Sequence, residues 1–230
     1  GTPAKAGYEF AGWTGSNGTT PQKEVTVPAG TTGNLSYTAN WKAISYGIVY
    51  DTDGGTMPSS AKVSYTAADA AYAVPQPAKT GYEFLGWTGS NGETPETGVT
   101  IKAGTSGNLS YKASWRLAHY SVTYDFGGGT AGTALKNSYT AEDPAFTLGI
   151  PEKPGYEFLG WTGSNGTVPQ KEVSVPAGTV GNLSYTAVWK ANEYPITYDL
   201  AGGTLDGAVT SYTIEDADFT LKIPVKRGYD

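Results

Sequence analysis

The chain has 230 residues, 15 Lys and Arg against 21 Asp and Glu, and no cysteine. The net charge of −6 disfavours a nucleic-acid surface, which needs clustered cations, and the lack of cysteine removes disulfides, thiolate metal sites and thiol catalysis. The 32 Gly and 14 Pro disfavour long helices, while 6 Trp, 17 Tyr and 6 Phe supply enough aromatic surface for packed cores.

Periodicity is the dominant signal along the chain. The first element, Gly7-Tyr8-Glu9-Phe10-Ala11-Gly12-Trp13 running on to Gly18, returns from Gly81 and from Gly155, 74 residues apart each time. The second, Gly33 to Trp41, returns at Gly107 to Trp115 and Gly181 to Trp189. The third, Tyr46 to Asp51, recurs from Tyr120 and Tyr194, and Ser64-Tyr65-Thr66 recurs at Ser138 and Ser211. All six tryptophans fall on two positions of this repeat, which marks those positions as structural. Residues 222–230 occupy the same phase as residues 1–9, so the expectation is a stretch of a longer array.

Within the copy from Tyr120 to Trp189, alternation points to strands. Tyr120, Val122 and Tyr124 share one face, and the Gly127-Gly128-Gly129 turn follows. A second strand passes through Ser138-Tyr139-Thr140, and Ala141 to Pro144 reads as a turn or one turn of helix. Tyr156 and Phe158 lead to a buried Trp161, Ser164-Asn165-Gly166 reads as a tight turn whose Asn and Gly tolerate positive φ, and Val173 and Val175 form a short strand. The last strand places Leu183, Tyr185, Ala187 and Trp189 on one face. The expected structural core is Tyr8, Phe10, Trp13 and Trp41, then Tyr82, Phe84, Trp87 and Trp115, then Tyr156, Phe158, Trp161 and Trp189. Joints of four residues (Lys42–Ser45, Arg116–His119, Lys190–Glu193) restrict hinging and predict an elongated rod.

The Tyr-x-Ile/Val-x-Tyr-Asp-x-x-Gly-Gly strand (Tyr120 to Gly129, Tyr194 to Gly203), the Gly-Tyr-Glu-Phe-x-Gly-Trp block and the closing Tyr-x-Ala-x-Trp resemble the Listeria–Bacteroides repeat, also called the internalin B-repeat, of bacterial surface proteins. The resemblance implies ubiquitin-like β-grasp modules, hence a mainly β chain (α+β at most). In that frame residues 44–117 and 118–191 are complete repeats. Residues 1–43 are the C-terminal half of one repeat, and 192–230 are the N-terminal half of another.

No chemistry recurs with the repeat. His119, the only histidine, is matched by Ser45 and Glu193 in the other joints. Asp51-Thr52-Asp53 hints at a calcium loop, but the equivalent Asp125 and Asp199 lack the second carboxylate, so a turn is the better reading. Asp69, Asp143 and Asp216 read as caps or Asx-turns, and the Asn-Leu-Ser triplets at Asn34, Asn108 and Asn182 as turns despite matching a glycosylation sequon. No recurring buried lysine with a glutamate neighbour suggests an isopeptide crosslink. The expectation is therefore no enzyme, no cofactor and no metal. A stalk of a cell-surface or cell-wall adhesin is expected, exported and anchored by signals outside this stretch. Its partners would be neighbouring repeats, with no nucleic acid and no membrane insertion in this segment. Alternatives are multivalent binding of a host protein or glycan through loops such as Thr162 to Thr167, and head-to-tail association of the half-repeats.

Overall fold

The computed structural model describes residues 1–132 and 135–228. Among them there are strands and turns and no helix. Contacts divide the chain into two units, Gly1–Leu117 and Ala118–Asp230.

The first unit opens with β1 (Tyr8–Gly15), β2 (Gly18–Gln22) and β3 (Tyr37–Ala43), an antiparallel sheet ordered β2-β1-β3. Seven more strands follow: β4 (Ser45–Asp51), β5 (Ser64–Thr66), β6 (Tyr72–Ala73), β7 (Tyr82–Gly89), β8 (Gly92–Glu96), β9 (Thr100–Ile101) and β10 (Leu109–Leu117). Its main sheet is ordered β5-β4-β10-β7-β8. The first and last strands, β4 and β10, lie side by side and parallel, with Leu109 opposite Ile48 and Tyr111 opposite Tyr50. Antiparallel hairpins flank them on both sides. This is the strand order of a β-grasp sheet.

The second unit builds the same sheet from β11 (Tyr120–Asp125), β12 (Ser138–Tyr139), β13 (Phe146–Thr147), β14 (Tyr156–Gly163), β15 (Gly166–Gln170), β16 (Ser174–Val175) and β17 (Leu183–Ala191). Its order is β12-β11-β17-β14-β15, again with a parallel central pair. The unit closes with the paired β18 (Tyr194–Pro195) and β19 (Ser211–Tyr212).

A β-grasp sheet is normally crossed by a helix between its second and third strands. Here that segment is extended. Residues Ala141 to Pro144 form a turn, closed by the Asp143 amide donating to the Thr140 carbonyl at 3.2 Å, and not a turn of helix. Pro144, Gly149, Pro151 and Pro154 in this copy, and Pro75 and Pro77 in the other, leave no stretch in which a helix could form, because interior proline costs about 3 kcal/mol or more. The segment instead contributes a short strand to a two-stranded ribbon, β6 with β9 and β13 with β16. The ribbon supplies Val74, Val99 and Ile101 to a core that also contains Ile48, Tyr65, Trp87, Tyr111 and Ala113. Leu148, Val173 and Val175 do the same beside Val122, Tyr139, Phe158, Trp161, Tyr185 and Ala187.

A β-bulge gives the Phe-x-Gly-Trp block its shape. Phe158 and Trp161 are three residues apart, so strict alternation would put them on opposite faces. Between Phe158 and Gly160 the register against β17 slips by one residue, and both rings turn to the core. Gly160 takes φ +143°, and a Cβ there would lie 2.4 Å from the Gln170 amide nitrogen. Gly12 and Gly86 repeat this geometry. In each copy the phenylalanine is then held edge-on between two tryptophans, with centroids 5.3 to 5.6 Å apart.

The sheet edges are blunted. The outermost strands β2, β8 and β15 carry Pro21, Pro95 and Pro169, which have no amide to offer, and the opposite edges β5 and β12 are three and two residues long.

Candidate functional site

The predicted core residues occupy graded positions. Trp87 and Trp161 are fully buried at 0% exposure, Phe10 and Phe158 are buried, and Tyr8, Trp13, Trp41, Tyr82, Phe84, Trp115, Tyr156 and Trp189 are partly exposed. The indole N–H groups act as pins. Trp87 donates to the Pro75 carbonyl at 3.2 Å and Trp161 to that of Gly149 at 3.1 Å, fixing the segment before the Gly-Tyr strand. Trp115 and Trp189 donate to Thr52 and Phe126, 63 residues away, and close the turn after the first strand.

The recurring polar residues are likewise engaged inside their own repeat. Asp51, Asp125 and Asp199 each accept the amide two residues on, as Asx-turns do. Asp69 accepts the hydroxyl and amide of Thr66, which together lower its carboxyl below the ordinary range. Asp143 is lowered first by Lys136, 2.6 Å away, and then by Thr140. Asn108 and Asn182 use Oδ1 to accept the amides of Gly47 and Ser121 at 2.9 Å, tying the last strand to the first across 61 residues. His119 is exposed. No cluster of three metal-ligating side chains exists among the described residues.

In the hairpin from Thr162 to Thr167, Thr162, Ser164 and Asn165 bond the main chain of their own repeat, while Thr167 is exposed. Ser164 Oγ accepts the Ser184 amide at 2.9 Å, and Asn165 Nδ2 donates to the Trp161 carbonyl at 2.7 Å. Ser16 and Asn17, and Ser90 and Asn91, do the same. The tight turn expected at Ser164-Asn165-Gly166 forms, and its positive φ falls on Gly163 and Gly166, at +119° and +109°, rather than on Asn165.

One recurring residue carried no expectation. Lys5, Lys79, Lys153 and Lys226 all stand two residues before the glycine of the Gly-Tyr block. Lys79, with a side chain only 20% exposed, donates to the Asp53 carbonyl at 2.8 Å; Lys153 and Lys226 donate to those of Gly127 and Ala201 at 2.9 Å. The Nζ atoms of Lys5, Lys79 and Lys153 also lie 4.0, 4.3 and 3.9 Å from the ring centres of Tyr8, Tyr82 and Tyr156. A groove of roughly 600 Å³ beside Pro3, Lys5, Tyr8 and Trp41 recurs at roughly 390 Å³ beside Pro151, Lys153, Tyr156 and Trp189. The lysine caps one face of its tyrosine, so that face is closed to a stacking sugar ring. Fixed recurrence, the signal that singled out the tryptophans, was available for this lysine too.

Within each unit, successive sheets also meet through a short joint. The Gly7 carbonyl accepts the Ile44 amide at 3.0 Å, and the Gly155 carbonyl accepts the Asn192 amide at 2.8 Å. Gly7 faces Ala67 and Gly155 faces Ile214, the same position of the repeat, so closely that an added Cβ would approach to 2.4 and 2.9 Å. Glycine at φ near +80° is what lets the two surfaces touch. Burial first, and then the neighbouring Glu215, raise the Tyr156 phenol above its ordinary value.

The Listeria–Bacteroides repeat domain model matches residues 46–112 and 120–183, and the divergent InlB B-repeat domain model matches residues 2–45. Two proteins of Evansella cellulosilytica are similar. One, provisionally named a membrane protein, is 27% identical over 205 residues, covering 86% of this chain and 29% of that protein. The other, provisionally named a Gly-rich membrane protein, is 26% identical over 235 residues, covering 99% of this chain and 25% of that protein. The chain thus spans between a quarter and a third of the relatives it matches. No solved structure matches it.

Proposed function

The chain belongs to the Listeria–Bacteroides repeat family, and on that premise we propose that it is a spacer region of a bacterial cell-surface adhesin, a stalk that keeps other parts of the same protein away from the envelope. The observation that carries this reading is the joint. In both units a backbone hydrogen bond and a glycine-to-side-chain contact tie one repeat to the next within four linking residues. A joint of that kind transmits orientation and does not swivel freely. Support also comes from the recurring Trp, Tyr, Asn, Ser, Asp and Lys side chains, which serve their own repeat as pins and caps. The reading assigns no catalysis. Placement at the cell surface draws on the family and on relatives that bear membrane-protein names.

Multivalent adhesion through the Thr162–Thr167 hairpins is the competing reading. Binding of this 230-residue chain to host-cell surfaces and to a glycan array separates the two. The spacer reading predicts no saturable binding. Saturable binding that is lost when the exposed Thr167 and its counterparts Thr19 and Glu93 are replaced would overturn it.

A further inference from the structure

Each hairpin places an asparagine directly before a glycine: Asn17-Gly18, Asn91-Gly92 and Asn165-Gly166. That dipeptide has a reaction of its own. The glycine amide nitrogen, unshielded by any Cβ, attacks the asparagine Cγ. A Cγ–N bond forms, the Cγ–Nδ2 bond breaks, and Nδ2 leaves as ammonia with the proton from the backbone nitrogen. Water then opens the resulting succinimide at either carbonyl, giving aspartate or isoaspartate. Ring closure requires the side chain to swing free so that Cγ can reach the next amide.

In this fold it is not free. Nδ2 of Asn17, Asn91 and Asn165 donates to the carbonyl of the tryptophan four residues earlier at 2.7, 2.6 and 2.7 Å. All three Oδ1 atoms are buried and have no hydrogen-bond partner in the protein. We propose that these asparagines are latent deamidation sites, kept intact by the clamp on the tryptophan carbonyl only while their repeat stays folded. Each repeat thereby carries a chemical record of its own unfolding.

The product also explains why the record is one-way. Aspartate sets an anionic oxygen against the tryptophan carbonyl in place of a donor, with no partner for the buried charge. Isoaspartate adds a backbone atom inside a turn whose length fixes the β14–β15 register. A converted repeat is therefore less stable and opens again more readily. In this chain Trp87 and Trp161 are fully buried in five-stranded sheets, while Trp13, in the three-stranded sheet, is partly exposed, so here Asn17 is the least protected of the three.

The test is peptide mapping by mass spectrometry of the whole chain held at mildly alkaline pH, folded and in urea, beside a synthetic Thr162–Gln170 peptide. In urea all three sites should convert at the peptide's rate. In the folded chain Asn91 and Asn165 should convert at least about tenfold more slowly, with Asn17 between the two limits. Gly160→Ala, which acts on the bulge and not on the asparagine, should speed conversion of Asn165 and leave Asn91 protected, whether that repeat is merely weakened or unfolds. Equal folded and unfolded rates at Asn91 and Asn165 overturn the proposal, as does a Gly160→Ala chain in which Asn165 stays as protected as Asn91.

Discussion

Replacing Gly160 with alanine tests whether the bulge organises the core. Two costs add. Alanine at φ +143° is strained by about 1–3 kcal/mol. Its Cβ would also sit 2.4 Å from N, 2.6 Å from C and 2.8 Å from O of Gln170, all backbone atoms that cannot rotate away. Relief requires β15 to lift from β14, which gives up the Trp161–Gln170 pairing at about 1 kcal/mol per hydrogen bond and uncovers part of Trp161. The sum is about 3–5 kcal/mol, a large share of the roughly 5–15 kcal/mol that holds a small domain together. Native-state hydrogen exchange is the suitable assay, because it reports each repeat separately. Protection in β14, β15 and β17 should fall by about 3–5 kcal/mol while β7, β8 and β10 keep theirs; Gly86→Ala should give the mirror result. A Gly160→Ala protein whose β17 amides stay within about 1 kcal/mol of the parent would refute the bulge argument.

Other substitutions address the clamps. Tyr139→Phe removes the hydroxyl that donates to the Gly181 carbonyl, and should cost about 1–2 kcal/mol in urea denaturation, as should Tyr65→Phe at Gly107. Lys153→Ala should loosen the turn at Gly127 to Thr130 by about 1–3 kcal/mol, read as faster exchange of those amides with β17 unchanged. Stability should fall on both sides of a neutral plateau. Asp69 and Asp143 (ordinary value 3.8) and Glu9 and Glu157 (ordinary value 4.5) are lowered, so their contribution is present above those values and lost as pH drops through the folded ones. Tyr65, Tyr111, Tyr124, Tyr139 and Tyr185 are raised above 10.0, chiefly by burial, so their contribution holds below 10.0 and is lost as pH climbs through the folded values. Urea midpoints measured across pH check both limbs, and a midpoint still constant past about pH 11 would contradict the second.

Much of this architecture was legible because repetition supplies three readings of one unit. The Trp positions, the strand phases and the turn role of Asp51, Asp125 and Asp199 all follow from what persists and what changes between copies. Other features left weaker traces. The ribbon β13–β16 pairs residues about 28 apart with only two residues on each side, too short for a period to register. The bulge breaks the alternation at the very residues, Phe158 and Trp161, that carry the core. Asn182 and Lys153 reach main-chain atoms 61 and 26 residues away, and a side chain that bonds a distant backbone leaves no partner pattern in the sequence. Proline positions in the crossover did carry the information that replaces the helix by an extended segment.

On the proposed spacer reading, the repeats are tied end to end and hold distance. Small-angle X-ray scattering of the 230-residue chain addresses it directly. A compact body of this length would have a radius of gyration of about 17 Å, and an unfolded chain about 52 Å. The spacer reading predicts a value well above the first and below the second, with a rod-like profile that becomes flexible when Gly7 and Gly155 are replaced by valine. A radius near 17 Å, or a profile already flexible in the unaltered chain, would contradict it.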